Sequence, residues 1–167
     1  MAREIVPGFP VAPVEDSDEA GLTALIGGCF AEYADEGVQL DPNNLDADLK
    51  AWSTYLQLQD GEGWKVLDPQ GTLIACIGYT SIDDTLFELK RLYLHADHRG
   101  GRLAVRLLTM VEDAVLKRGG EILMLWSDSR FKRAHNFYRR EGFVHLGSTR
   151  ALGDISNTTE LQFIKSL

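Results

Sequence analysis

Between Phe87 and Leu116 the chain reads FELKRLYLHADHRGGRLAVRLLTMVEDAVL, and no other stretch restricts the fold as strongly. Leu89, Leu92, Tyr93 and Leu94 form a mostly apolar run of strand length, which His95, Ala96, Asp97 and His98 break. Arg99-Gly100-Gly101-Arg102 then opens a segment in which Leu103, Leu107, Val111 and Ala114 or Val115 recur at helical spacing. Arg102, Arg106, Thr109, Asp113 and Lys117 trace the opposite stripe, so the segment reads as an amphipathic helix. The first N–H groups of a helix have no internal partners, and the helix dipole is positive at that end. A strand, a glycine turn and a helix start therefore make a seat for an anionic phosphate group. Glycine lets backbone approach the ligand, and the flanking arginines add charge.

The remaining composition narrows the class. A chain of 167 residues is the size of one ordinary domain. No apolar run approaches the ~20 residues that span a bilayer, so no membrane partner is expected. The first residues, MAREIVPGFPVAPVED, lack the cationic lead and apolar core of a secretory leader. Cys29 and Cys76 lie far apart in apolar settings and read as buried free thiols of a cytoplasmic protein. No cysteine or histidine falls in a metal-ligand spacing, so no metal is expected. A net charge of −8 argues against nucleic acid as the partner. Most Lys and Arg residues fall between Lys90 and Arg150, whereas residues 15–62 are acidic. That split suits a polyanionic cofactor and a cationic substrate.

Along the chain, residues 1–9 read as a poorly fixed lead-in and 10–14 as an edge strand, since proline is tolerated there. Asp16 and Glu19 have capping-box spacing before a first helix bearing Leu22, Leu25, Ile26, Cys29 and Phe30. An acidic loop follows, then a second helix over 45–58. Strands are expected at 64–67 and 72–81, joined by the turn Asp68-Pro69-Gln70-Gly71, and at 85–94. Beyond the long helix, ILMLW at 122–126 reads as a strand covered on both faces. A short helix at 131–141 and strands at 143–146 and 160–165 complete the chain. The order indicates a single α+β (mixed α/β) domain.

Three segments resemble the GNAT superfamily of N-acetyltransferases, together spanning residues 72–146. The loop pattern Gln/Arg-x-x-Gly-x-Gly/Ala is met by Arg99 at its first position and Ala104 at its last, with Arg102 where the pattern has glycine. EILMLW is similar to the strand that lies beside the signature strand. AHNFYRREGF matches the closing helix motif at Ala134, Phe137, Tyr138, Gly142 and Phe143; Phe131 stands where the family often has asparagine. The resemblance implies a mixed, mostly antiparallel sheet of six to seven strands, flanked by about four helices, with its central strands splayed.

It also implies acetyl-CoA as co-substrate and a primary amine as acceptor; small-molecule amines and amino-acid-like amines are the favoured class, with drug-like molecules and peptide termini left open by the sequence. Leu92, Tyr93 and Leu94 would meet the pantetheine amides, and Arg99, Gly100, Gly101, Arg102, Leu103 and Ala104 the diphosphate, with Phe137 against the coenzyme. Tyr138 is the candidate general acid, because a phenol of pKa about 10 keeps its proton for a thiolate of pKa about 8.5; the competing reading is that its hydroxyl only hydrogen-bonds the coenzyme sulfur or a backbone group. Glu88 is the candidate base, placed by simple alternation on the face of Lys90, Leu92 and Leu94; the competing reading is a salt bridge with Lys90 or Arg91. Lys132-Arg133 with Arg139-Arg140 reads as a solvated helix face, the alternative being that Arg130 or Arg140 reaches the coenzyme phosphates. Glu32, Tyr33, Asp35 and Glu36 are candidate contacts for a cationic amine. His95 and His98 read as exposed loop residues. A homodimer is the expected assembly. The competing class is a non-catalytic acyl-CoA-binding module, whereas nucleotide-binding folds lack their GxGxxG or GK[ST] signatures here.

Overall fold

Alternating runs that bury one face, joined by glycine turns, dictate a sheet with helices on it, and the computed structural model describes it over residues 3–167. The strands are β1 (Arg3–Val6), β2 (Phe9–Pro13), β3 (Glu62–Leu67), β4 (Leu73–Ser81), β5 (Leu86–Leu94), β6 (Ile122–Asp128), β7 (Thr149–Ala151) and β8 (Thr159–Ser166). The helices are α1 (Glu19–Ala31), α2 (Trp52–Leu58), α3 (Leu103–Lys117) and α4 (Lys132–Arg140). All eight strands join one sheet in the order β1-β2-β3-β4-β5-β6-β8-β7. Every neighbouring pair is antiparallel except β5 and β6, which run parallel.

Two apolar clusters sandwich the sheet. On one face Phe87 and Leu89 of β5 and Leu123 and Leu125 of β6 pack with Leu103, Leu107, Val111 and Val115 of α3 and Tyr138 of α4. On the other, Leu22, Leu25 and Ile26 of α1 pack with Leu49, Trp52, Leu56 and Cys76. The apolar stripe of α3 is thus the one its sequence spacing requires. The turn after β3 also forms as expected: Gly71 has φ +84° and donates to Asp68 O at 2.9 Å.

Several expectations are corrected. Arg3–Val6 pairs with β2, so the lead-in contains a strand and β2 is interior rather than an edge; residues 1–2 lie outside the described residues. The helix start is shifted by one residue, with Asp18 accepting from Glu15 N at 2.7 Å, while Asp16 turns to Thr54. Residues 47–51 form a 3-10 turn and only then does α2 begin. Residues 143–146 make a single bridge, Val144 to Ile164. Gly142 and Gly147, both at positive φ, bracket that segment and break its ladder, and β7 takes the edge instead.

Candidate active site between the parting strands

The parallel pair β5 and β6 is joined only over Leu86–Glu88 and Ile122–Met124. Beyond that the strands part, and a cleft of about 1100 Å³ opens between them. A second irregularity shapes its wall. Cys76 pairs with Tyr93 but Gly78 pairs with Lys90, so β5 carries one residue more than β4. Arg91, at φ +50°, lies in this β-bulge. The bulge is written in the sequence as a skipped beat, Phe87-x-Leu89-x-x-Leu92-x-Leu94.

This corrects the expected alternation. Leu92 and Leu94 pack with Phe87 and Leu89 on the α3 side, whereas Tyr93 packs in the α1 cluster. Glu88 does not share the face of Leu92 and Leu94; it pairs with Lys90 at 2.9 Å. The Arg91 guanidinium reaches Asp48 Oδ1 at 2.7 Å and Asp46 Oδ1 at 3.0 Å, all three side chains being nearly buried. Those carboxylates raise the Arg91 pKa against the lowering effect of its burial. Sequence reasoning missed this anchor, since nothing local marks a partner more than forty residues away.

The loop after β5 turns at Gly100, whose φ is +82°. Arg102 then precedes α3 at φ −99° without capping it through its side chain, so the first helical amides are left free of that partner. That φ suits any residue, which explains why the motif's glycine is dispensable there. Gly100, Gly101 and Ala104 line the cleft; Leu103 instead is buried in the core, and Arg102 stays outside the lining. Arg99 folds back, donating from Nε to Leu94 O at 3.1 Å and from Nη1 and Nη2 to the two Glu32 oxygens. Arg133 of α4, exposed as expected, also reaches Glu32 at 3.0 Å across the cleft mouth. Together these partners, the Arg99 hydrogen bonds first, hold the Glu32 carboxyl down at about 2.

Tyr138 projects from α4 beside Phe143 and Phe163, with ring centroids 5.7 and 5.9 Å away. It lines the cleft and, among the described residues, its hydroxyl makes no hydrogen bond. Burial pushes its pKa well above the ordinary phenol range. Burial likewise raises Tyr93; Arg91 offsets part of that rise and the nearby Tyr138 adds to it.

Other candidates separate cleanly. Tyr33 lines the cleft and packs on Phe131 at 4.7 Å, whereas Asp35 and Glu36 are exposed outside it. Arg130 is taken by Asp128 at 2.7 Å and by the carbonyls of Glu36 and Ser156, away from the cleft lining. Arg140 lines the cleft with no ion pair among the described residues. His135 is buried between Ser127 Oγ and Asp128 O, and desolvation lowers its pKa. His98 meets the edge of Phe9 at 5.4 Å, beside the loop. Cys29 and Cys76 are buried free thiols. No helix of the described residues is long and apolar enough to cross a membrane.

Solved structures share this architecture across their whole length. An acetyltransferase from Streptococcus agalactiae superposes with a TM-score of 0.81 at 21% identity, covering 97% of this chain and 100% of its own. The PaiA N-acetyltransferase from Thermoplasma acidophilum, in complex with coenzyme A, gives 0.71 at 17% identity, covering 95% and 99%. A putative acetyltransferase from Salmonella typhimurium with its cofactor acetyl-CoA gives 0.67 at 15% identity, covering 96% and 94%. No curated protein sequence matches the chain. At such identities the likeness speaks for the fold alone, but the sequence itself goes further: residues 28–143, from the end of α1 through the aromatic motif of α4, match the acetyltransferase (GNAT) family, and the chain belongs to that family.

Proposed function

We propose that the chain transfers the acetyl group of acetyl-CoA to a primary amine of a small molecule, with both substrates in the cleft at once. One conjunction carries this reading: parted strands, an uncapped helix start behind a left-handed glycine, and an unpartnered phenol border the same cleft. The fit to the coenzyme is chemical as well as spatial. The β5 edge at Leu92, Tyr93 and Leu94 has no partner on β6 and offers backbone groups to the pantetheine amides. The amides of residues 99–104 meet the diphosphate at the positive end of α3. Arg140 adds an unpaired cation and Phe137 an apolar surface.

Acetyl-CoA supplies an acetyl group activated as a thioester. Glu88, one oxygen of which is held by Lys90, takes the proton of the incoming amine on the other. The amine nitrogen then bonds to the acetyl carbon. Tyr138 gives its phenol proton to the departing thiolate as the carbon–sulfur bond breaks, and the extra proton on the new amide nitrogen returns to the Tyr138 oxygen. Its raised pKa keeps that proton in place until the thiolate forms.

A thiol-release assay over a panel of amines tests the reading. Turnover is expected in wild type, with Tyr138→Phe losing about 10²-fold or more in kcat while its thermal shift with coenzyme A is unchanged. A protein that binds coenzyme A tightly but releases no thiol with any amine is instead an acyl-CoA-binding module.

A further inference from the structure

The charges on the cleft wall are nearly all spoken for. Lys90 holds Glu88, Arg91 holds Asp46 and Asp48, and Arg150 holds Glu160 at 2.7 Å. Asp128 is paired with Arg130, and Asp154 accepts from Thr158 at 2.6 and 2.8 Å. Among the carboxylates of that wall Asp41 is the exception. Among the described residues its carboxylate has neither a cation nor a hydrogen-bond donor, and its Oδ2 is fully buried. It borders the cleft.

Nor is Asp41 a loose surface acid. Its N–H donates to Asp46 Oδ2 at 2.8 Å, and its carbonyl accepts from Asn44 and Asp46. Asp46 is in turn clamped by Arg91. The backbone is thus pinned to the bulge of β5, with Pro42 following. Burying Oδ2 without a partner is costly, and a cation drawn to the carboxylate from the cleft at its other oxygen, Oδ1, offsets that cost. The neighbouring wall suits a cation too. Phe30, Tyr33 and Phe131 form a continuous ring stack, Phe30 touching Tyr93 at 5.8 Å. The one other buried side-chain polar atom lacking a partner among the described residues, Trp52 Nε1, borders the same cleft.

Resting on the acetyltransferase reading above, we infer that the acceptor carries a second positive charge, and that Asp41 seats it. The seat cannot be for the reacting nitrogen: a carboxylate that holds an amine as ammonium takes away the lone pair that attacks. The acceptor is therefore a diamine, one nitrogen cationic at Asp41 and the other, deprotonated, forming the new nitrogen–carbon bond as the carbon–sulfur bond breaks. Its chain lies along the aromatic stack between the two.

Thiol release is compared for 1,4-diaminobutane and 1,5-diaminopentane against 1-aminobutane and 1-aminopentane. The better diamine is expected to exceed its monoamine about tenfold or more in kcat/KM, as a charge-assisted contact implies. Asp41→Asn removes that advantage and leaves monoamine turnover and the KM for acetyl-CoA unchanged. With coenzyme A present, the preferred diamine raises the wild-type melting temperature but not that of the variant. Equal monoamine and diamine rates in wild type overturn the inference while the acetyltransferase reading stands, and do so even if the variant does not fold. Absence of thiol release with every amine tested overturns both.

Discussion

Both oxygens of Glu32, at the end of α1, receive the guanidinium of Arg99, at 2.7 and 2.9 Å. This contact ties the loop before α3 to the helix on the opposite face of the sheet, and Arg133 adds α4 to the same carboxylate. The Glu32 carboxyl sits at about 2 against an ordinary 4.5, chiefly through the Arg99 hydrogen bonds. Depressed acids stabilise the fold above their unfolded pKa, so this contribution is complete above about pH 4.5 and drains away towards pH 2. Half-open pairs are screened by water, which limits it to about 1 kcal/mol. Glu32→Gln is expected to lose that much in urea denaturation at pH 7, and the gap from wild type is expected to narrow below pH 4.5. Coenzyme A binding, read by thermal shift, should weaken in the same variant, because the loop loses its tether.

The Arg91 anchor predicts a larger effect. Arg91→Met leaves Asp46 and Asp48 facing each other with side chains only 9% and 13% exposed. Stranding buried charges in this way costs about 3 kcal/mol. Denaturant titration checks the figure, and Arg91→Lys should recover only part of it, since an ammonium cannot span both carboxylates as a guanidinium does.

Gly61 is a steric test. A Cβ there would stand 1.9 Å from Tyr79 O, closer than any atom can sit without moving β4. Gly61→Ala is expected to destabilise by about 3 kcal/mol, whereas Gly27→Ala, where nothing lies within 4 Å, should be neutral or slightly stabilising. Melting curves of the two variants separate these outcomes.

Thiol chemistry provides another check. Burial pushes Cys76 up to about 12 and raises Cys29 as well, so neither offers much thiolate at pH 8. Iodoacetamide should modify neither in the folded protein and both in urea, as mass spectrometry would record.

For Tyr138 the sign runs the other way from an exposed phenol. Burial raises its pKa, so the acid form persists beyond the usual range. The kcat of wild type should show no alkaline fall up to pH 10, the limit set by folding permitting; a fall centred near 9 would assign the proton to another group.

Much of this was legible because it depends on local periodicity. The stripe of α3 follows from residues three and four apart, and ILMLW from a strand covered on both sides. The turn at Gly100 and the Phe137-Tyr138 pair that lines the cleft are likewise marked by adjacent residues. The failures share a cause. Arg91 finds Asp48, and Arg99 finds Glu32, only after the sheet has brought distant segments together. Arg130 looked like a phosphate ligand because its charge is visible in sequence while its captor's geometry is not. The misplacement of Glu88 differs, for the broken alternation at Lys90-Arg91 was present in the text of the chain.

The parting of β5 from β6 has one more consequence. Between the half of the sheet that holds β1 to β5 and the half that holds β6, β8 and β7, the ladder has only the rungs of Leu86, Phe87 and Glu88. Beyond those rungs the facing edges of β5 and β6 have no partner in each other, although Leu94 O accepts from Arg99. A slender chain bearing amides is the ligand shape able to suture such a seam. Amide hydrogen exchange along Leu92, Tyr93 and Leu94 would therefore slow when a pantetheine-bearing molecule binds, stiffening the two halves into one plate.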